Sequence, residues 1–202
     1  ESNLSFNLFA YCENNPVMFS DPNGNSVKLL HDYIEYKYNK QFKFSGYING
    51  QGYGNASKLY MGIFRGSWNG CSWIAAYNAA LMLGRLIHPA DIIWFYEQCG
   101  IFLYGVFGVY YTTIAKFFAY MGHRVTISTS NHSFDRIAKR NRASILFYFY
   151  WWGAHYVALK WTGKCFMVFN LSSNKTKTYD CESINMLIKK EGGWGCVLLS
   201  IS

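Results

Sequence analysis

The sequence predicts an α+β fold, with helices first and an antiparallel sheet after them. Three observations lead there. Ile74, Ala75, Asn78, Ala79, Leu81 and Met82 recur at spacings of three and four, the period of a helix. From Arg124 onward, short apolar and aromatic runs alternate with turn residues, as paired strands do. With 202 residues, 51% of them hydrophobic and 20% aromatic, the chain is long and apolar enough to bury a full core. Helices and strands kept apart along the chain give the α+β layout.

Taken in order, the first stretch, ESNLSFNLFAYCENNPVMFSDPNGNS, is dense in Asn, Asp, Pro and Gly. It reads as one short strand over roughly 6–12, then turns at Asn15-Pro16 and Asp21-Pro22-Asn23-Gly24. VKLLHDYIEYKY (27–38) spaces Leu29, Leu30, Tyr33, Ile34 and Tyr38 as a helix does. Glycine-rich GYINGQGYGNASK (46–58) is a loop or a pair of irregular strands. A helix over Cys71–Leu83 stops at Gly84, and a second starts at Pro89 and stops at Gly100. A third covers about Tyr110–Met121 and ends at Gly122. RVTIST (124–129) is a strand, after which Ser130 or Asn131 caps a short helix to about Arg140. ASILFYFYWW, AHYVALKW, KCFMVFNLSS and KTKTYD follow as strands, Glu182–Lys190 as a helix, and WGCVLLSIS as a closing strand. The aromatic run Phe147–Trp152 is expected in the sheet core, with alternate residues on opposite faces.

The composition narrows the function. No apolar run approaches the roughly 20 residues that span a bilayer, so no membrane span is expected. The N-terminus lacks the basic-then-apolar layout of a secretory signal. Export is therefore expected by another route, or as part of a larger protein. The formal charge of +8 is scattered, with short clusters such as Lys139-Arg140 and Lys189-Lys190. Without a zinc-finger spacing, a phosphate-binding glycine loop or an RNA-binding signature, no nucleic-acid partner is expected; an acidic protein partner suits the charge. The six cysteines form no CxxC pair, so neither a metal site nor any other cofactor is expected.

RGSWNGCSWIAAYNAALMLG (65–84) places Cys71 behind Gly70 and ahead of a run that reads as a buried helix. A reactive cysteine needs a lowered pKa and a base. A helix N-terminus favours the thiolate through its unpaired N–H groups. The base should be a histidine on another element, oriented by an Asn or Asp. His155 opens the strand His155-Tyr156-Val157-Ala158-Leu159, and Asn170 ends Met167-Val168-Phe169 one hairpin later. A turn near Gly163 would set these strand ends side by side, with the Asn170 amide oxygen on the imidazole. Asn69 and Gln51 are the oxyanion candidates beside the Cys71 N–H, and Trp68, Trp151 and Trp152 are candidates to wall the cleft. Taken singly, a cysteine at a helix start is more often structural, a histidine at a strand edge more often a satisfied surface or core residue, and Asn170 could simply begin a turn. The order of the three together favours the catalytic reading.

Two resemblances attach to these motifs. Asn7-Leu8-Phe9-Ala10-Tyr11, Asn14-Asn15-Pro16 and Asp21-Pro22-x-Gly24 resemble the signature that closes the core shell of rearrangement-hotspot (Rhs/YD-repeat) proteins. That family carries a variable C-terminal toxin after the signature, which implies that residues from about 25 onward are a delivered effector. Where some members cleave themselves before an apolar residue, this chain has Asn25 after Gly24. Gly70-Cys71-Ser72-Trp73-Ile74-Ala75, Ala154-His155-Tyr156-Val157 and Val168-Phe169-Asn170 resemble the nucleophile, His and Asp/Asn motifs of papain-like cysteine peptidases. The compact bacterial group with the bacteriocin-leader-processing domains is the nearest in pattern. Gly84, the helix from Pro89, Tyr110–Met121 and Gly122-x-x-Val125 look like its helical subdomain. Such enzymes carry a Gln about six residues before the cysteine, and Arg65 stands there instead.

The resemblances imply an N-terminal helical subdomain with the nucleophile helix packed on an antiparallel sheet. They divide the chain into the end of the Rhs core (1–24), a linker or N-terminal extension (25–60) and a papain-like peptidase domain (61–202). They also imply a protein or peptide substrate, a cognate immunity protein, the Rhs shell of the parent protein, and secretion or delivery into a target cell. A Gln/Asn deamidase or transglutaminase would use the same site. A non-catalytic papain-like binding module is a third reading, and a nuclease toxin, for which no metal-ligand or paired-acid cluster is visible in the sequence, ranks last.

Overall fold

A computed structural model describes residues 26–101, 105, 108–172 and 174–202. The strand expected at 6–12, its turns and the signature over 1–24 lie outside the described residues. The fold is α+β, with seven helices and two antiparallel sheets among the described residues. Helices α1 (Ser26–Asn39), α2 (Gly66–Asn69), α3 (Cys71–Met82), α4 (Pro89–Cys99) and α5 (Tyr111–Tyr120) come first. A two-stranded hairpin, β1 (Tyr60–Met61) and β2 (Phe64–Arg65), sits between α1 and α2. The larger sheet is built from β3 (Val125–Ser128), β4 (Ala143–Tyr150), β5 (Gly153–Trp161), β6 (Phe166–Phe169), β7 (Tyr179–Cys181) and β8 (Trp194–Ile201). Its order is β3-β8-β4-β5-β6-β7 and every neighbouring pair is antiparallel. Helix α6 (Asn131–Ala138) follows β3, and α7 (Ile184–Glu191) precedes β8.

The sheet is the middle layer of three. Alternation along β5 sends Tyr156 and Ala158 toward α3, α4 and α5, while Val157 and Leu159 join Phe134, Ile184 and Leu187 of α6 and α7. On β4, Ala143 and Ile145 face the α3 layer, and Leu146 and Tyr148 the other. Helix α3 is enclosed on all sides: Trp73, Ile74, Ala75, Ala76, Ala79 and Ala80 are all fully buried. A helix apolar all round belongs inside, and its four alanines let it lie close to β5. Pro89 at the first turn of α4 follows His88, whose Nδ1 accepts from the Ala90 N–H and closes one open donor. Among the described residues no helix is long and apolar enough to cross a membrane.

Three expectations change. In α1 the spaced apolar residues Leu30, Ile34 and Tyr38 are exposed, whereas Asp32, Glu35, Tyr36 and Asn39 are buried. The helix docks by hydrogen bonding: Asn39 pairs with the main chain of Tyr60 in both directions, and the Tyr36 hydroxyl donates to Asp91. Trp151 and Trp152 are not sheet core; they form the tip of the β4–β5 hairpin, closed by the Tyr150–Gly153 pair. Only Tyr179 and Asp180 of the strand expected over KTKTYD are paired, and the strand runs on to Cys181. Residues 26–60 pack on the rest: Leu59 is fully buried, and Ile48 exchanges two hydrogen bonds with the Asn78 amide of α3.

Candidate active site

Strand β6 stops at Phe169, opposite Ala158. Asn170 then turns the chain away with φ 59°, the one left-handed non-glycine residue among those described. The first residues of β5 therefore have no strand partner on the β6 side, and the start of α3 fills that edge. The Cys71 sulfur lies against the main-chain N–H of Tyr156, the residue directly after His155. The sulfur of Cys71 and the main chain just after His155 thus share one sheet edge.

Helices α2 and α3 form an interrupted helix. The Gly70 N–H bonds Gly66 O, and the Ile74 N–H bonds Gly70 O. Between them the ladder lacks the bonds from Cys71 N–H to Ser67 O and from Ser72 N–H to Trp68 O. Those two carbonyls are held by the Gln51 side chain, whose Nε2 donates to Ser67 O at 3.2 Å and Trp68 O at 3.3 Å. A fully continuous helix would consume the Cys71 and Ser72 N–H groups. Gln51 keeps them at an open end, where they face the sulfur. A Cβ on Gly70 would run into Gly66 O, so only glycine fits the junction.

His155 is buried, and its Nε2 meets the main-chain oxygen of Asn170 at 2.7 Å. Nε2–H donates to that carbonyl, which leaves Nδ1 unprotonated in the neutral ring. The expected orienting group was the Asn170 side-chain oxygen, and here the structure differs. That oxygen accepts from the Gly50 and Gln51 N–H groups, both at 3.1 Å. Two N–H donors at one atom identify it as oxygen. The Asn170 N–H donates to Asn49 Oδ1, and Nδ2 reaches Gln51 Oε1 at 3.4 Å. The left-handed turn aims the carbonyl at the ring, and the side chain ties the 49–51 loop to it. Gln51 therefore bridges the Asn170 corner to the α2–α3 break.

The electrostatics also differ from expectation. Burial pushes the Cys71 thiol up to about 11, against the opposing pull of the Tyr156, Ser72 and Cys71 N–H groups. Burial likewise lowers the His155 pKa, with the Asn170 carbonyl acting the other way. The helix end does not make a resting thiolate, because desolvation outweighs the amide donors. Cys71 and His155 rest as neutral thiol and neutral imidazole, with no hydrogen bond between them among the described residues.

Asn69 is buried, and its Nδ2 donates to Met61 O at 2.8 Å and Gly105 O at 2.9 Å. Its amide is committed to β1 and to the segment between α4 and α5, and the Gln51 Nε2 is likewise committed to Ser67 O and Trp68 O, which leaves the main-chain N–H groups of Cys71 and Ser72 as the oxyanion donors. Trp68 is exposed and stacks on Phe64, while Trp151 and Trp152 are 85% and 86% exposed at their hairpin tip. None of the three lines the 210 Å³ pocket that His155 opens into. That pocket is walled by Gln51, Tyr148, Tyr150, Ser172 and Glu191. Tyr148 and Glu191 were not foreseen; Tyr148 was readable, as it pairs with His155 once β4 and β5 are joined by a tight turn. Among the described residues no group of three or more His, Cys, Asp or Glu side chains is arranged to hold a metal ion. No family model matches the chain, and no curated protein does.

Proposed function

We propose that this chain is a papain-like cysteine hydrolase acting as the C-terminal effector of an Rhs-type protein, with a peptide bond as its default substrate. The observation that carries the catalytic part is the meeting of Cys71 at an open helix start with the strand residue that follows His155. The motifs over residues 1–24 carry the effector part.

Both groups start neutral, so attack and proton transfer are coupled. The Cys71 sulfur forms a bond to the substrate carbonyl carbon as its proton passes to Nδ1 of His155. The Asn170 carbonyl stabilises the imidazolium by accepting from Nε2–H. The Cys71 and Ser72 N–H groups stand where negative charge develops on the carbonyl oxygen, a contribution worth about 10²–10³ in rate per donor in comparable sites. His155 then protonates the leaving amine. Water, activated by the same imidazole, releases the acyl group and restores the thiol.

The test has two readouts. Cys71→Ala should abolish toxicity on expression in bacteria while circular dichroism stays unchanged; full toxicity of a folded Cys71→Ala protein overturns the proposal. Iodoacetamide should label Cys71 at pH 7 about 10² times faster in the wild type than in His155→Ala, the usual contribution of a positioned base. Mass spectrometry of exposed proteins separates the alternatives: cut backbones mean peptidase, and a gain of about one dalton, the mass change of amide-to-acid conversion, means deamidase.

A further inference from the structure

The pocket beside His155 has a chemistry of its own. Tyr148 is only 2% exposed, yet its hydroxyl has no hydrogen-bond partner among the described residues. Tyr150 places its hydroxyl over Gly153, Ser172 lines the floor, and Glu191 supplies the carboxylate. In a chain with 19 Lys and Arg against 11 Asp and Glu, the one formally charged side chain on this pocket's wall among the described residues is negative. Glu191 enters no ion pair among the described residues. Its neighbour Lys190 is turned away, 3.5 Å above the Tyr179 ring.

The position of Glu191 is built in. It is the last residue of α7, and Gly192 at φ 63° reverses the chain so that the Gly193 N–H bonds Ile188 O at 2.8 Å. A Cβ on Gly193 would stand 3.2 Å from the Tyr148 ring, so the small residue lets the helix end close against that tyrosine. A carboxylate at a helix C-terminus opposes the helix dipole, so the fold gains no local stability from it. Burial first, and then the Glu191 charge, resist ionisation of Tyr148, which keeps a neutral hydroxyl facing the pocket.

We propose that this pocket receives a cationic side chain of the substrate, Lys or Arg, with Glu191 as the specificity-determining residue. The inference rests on Cys71 and His155 being the reacting pair. An ammonium or guanidinium group brings donors only; the Glu191 carboxylate and the Tyr148 and Tyr150 hydroxyls offer acceptors. The volume of 210 Å³ takes such a head with part of its methylene stem.

The probes are n-pentylamine and agmatine, with uncharged n-pentanamide as control, titrated into ¹⁵N-labelled protein. Both amines should shift the amides of Tyr150, Ser172, Glu191 and Gly192, and n-pentanamide should bind at least about tenfold more weakly, as expected for a charged hydrogen bond. Glu191→Gln, which relieves the dipole conflict and should fold, should lose about tenfold in amine affinity. Glu191→Lys should turn the preference toward n-pentanoate. Equal binding of n-pentanamide, undiminished amine binding by Glu191→Gln, or no amine binding at millimolar concentration overturns the proposal. Amine binding needs no turnover, and iodoacetamide labelling of Cys71 needs no amine, so the two readings fail separately.

Discussion

Replacing Glu35 by Gln should stabilise the protein above neutral pH and flatten its pH dependence. Glu35 on α1 and Glu97 on α4 are buried together, with Asp32 close by. Neither Glu35 oxygen has a donor among the described residues, and Glu97 Oε1 already accepts from the Gly62 N–H at 2.8 Å. Two facing carboxyls can bond only if one carries a proton. The nearby cation, Lys28, is committed to Asp32 and to the Glu97 main-chain oxygen. Burial first, and then Glu97, raise the Glu35 pKa to about 10; burial raises Glu97 to about 7, both from 4.5. A carboxyl whose folded pKa lies above its unfolded value stabilises fully below the unfolded value. That contribution is lost as pH rises through the folded one. Each retained proton costs about 1.4 kcal/mol per pH unit, so Glu35 alone costs up to about 4 kcal/mol between pH 5 and pH 8. Glutamine keeps the shape and gives Glu97 an N–H donor without a proton to hold. Urea unfolding followed by tryptophan fluorescence at pH 5, 6, 7 and 8 should show a falling wild-type stability and a shallower slope for Glu35→Gln, with the variant ahead at pH 8. Equal slopes, or a variant weaker than wild type at pH 8, would refute the shared-proton account.

Two further outcomes follow from the site. Gln51→Ala removes the donor that holds the Ser67 and Trp68 carbonyls, so α2 and α3 should join; hydrogen exchange should slow at the Cys71 and Ser72 amides, and iodoacetamide labelling should fall about tenfold or more. Unchanged exchange at those two amides would dismiss the role given to Gln51. At position 170, glycine adopts φ 59° freely while alanine is strained there by about 1 kcal/mol. Melting temperature and labelling rate should both rank Asn170 above Asn170→Gly, and Asn170→Gly above Asn170→Ala. An alanine variant equal to the glycine one would mean that the left-handed turn does not aim the carbonyl.

Local pattern was enough to read the α+β layout, the enclosed α3, the β4–β5 hairpin and the order Cys71, His155, Asn170. Those features rest on short-range rules: helical spacing, turn residues and strand alternation act within a dozen residues, and the chain carries them openly. The pattern failed for α1, where Leu30 and Ile34 mimic a core stripe, because which face is buried depends on what the partner helix offers. Opposite α1 stand Glu97 and Asp91, and they select the polar face. Only the folded chain decides that Cys71 is a desolvated thiol rather than a thiolate, since burial is a property of every element packed around it. The folded chain alone also decides that Asn170 addresses His155 through its carbonyl, that Gln51 holds a helix open, and that Glu191 and Tyr148 share a pocket. Each depends on contacts between residues far apart in sequence, where no local rule reaches.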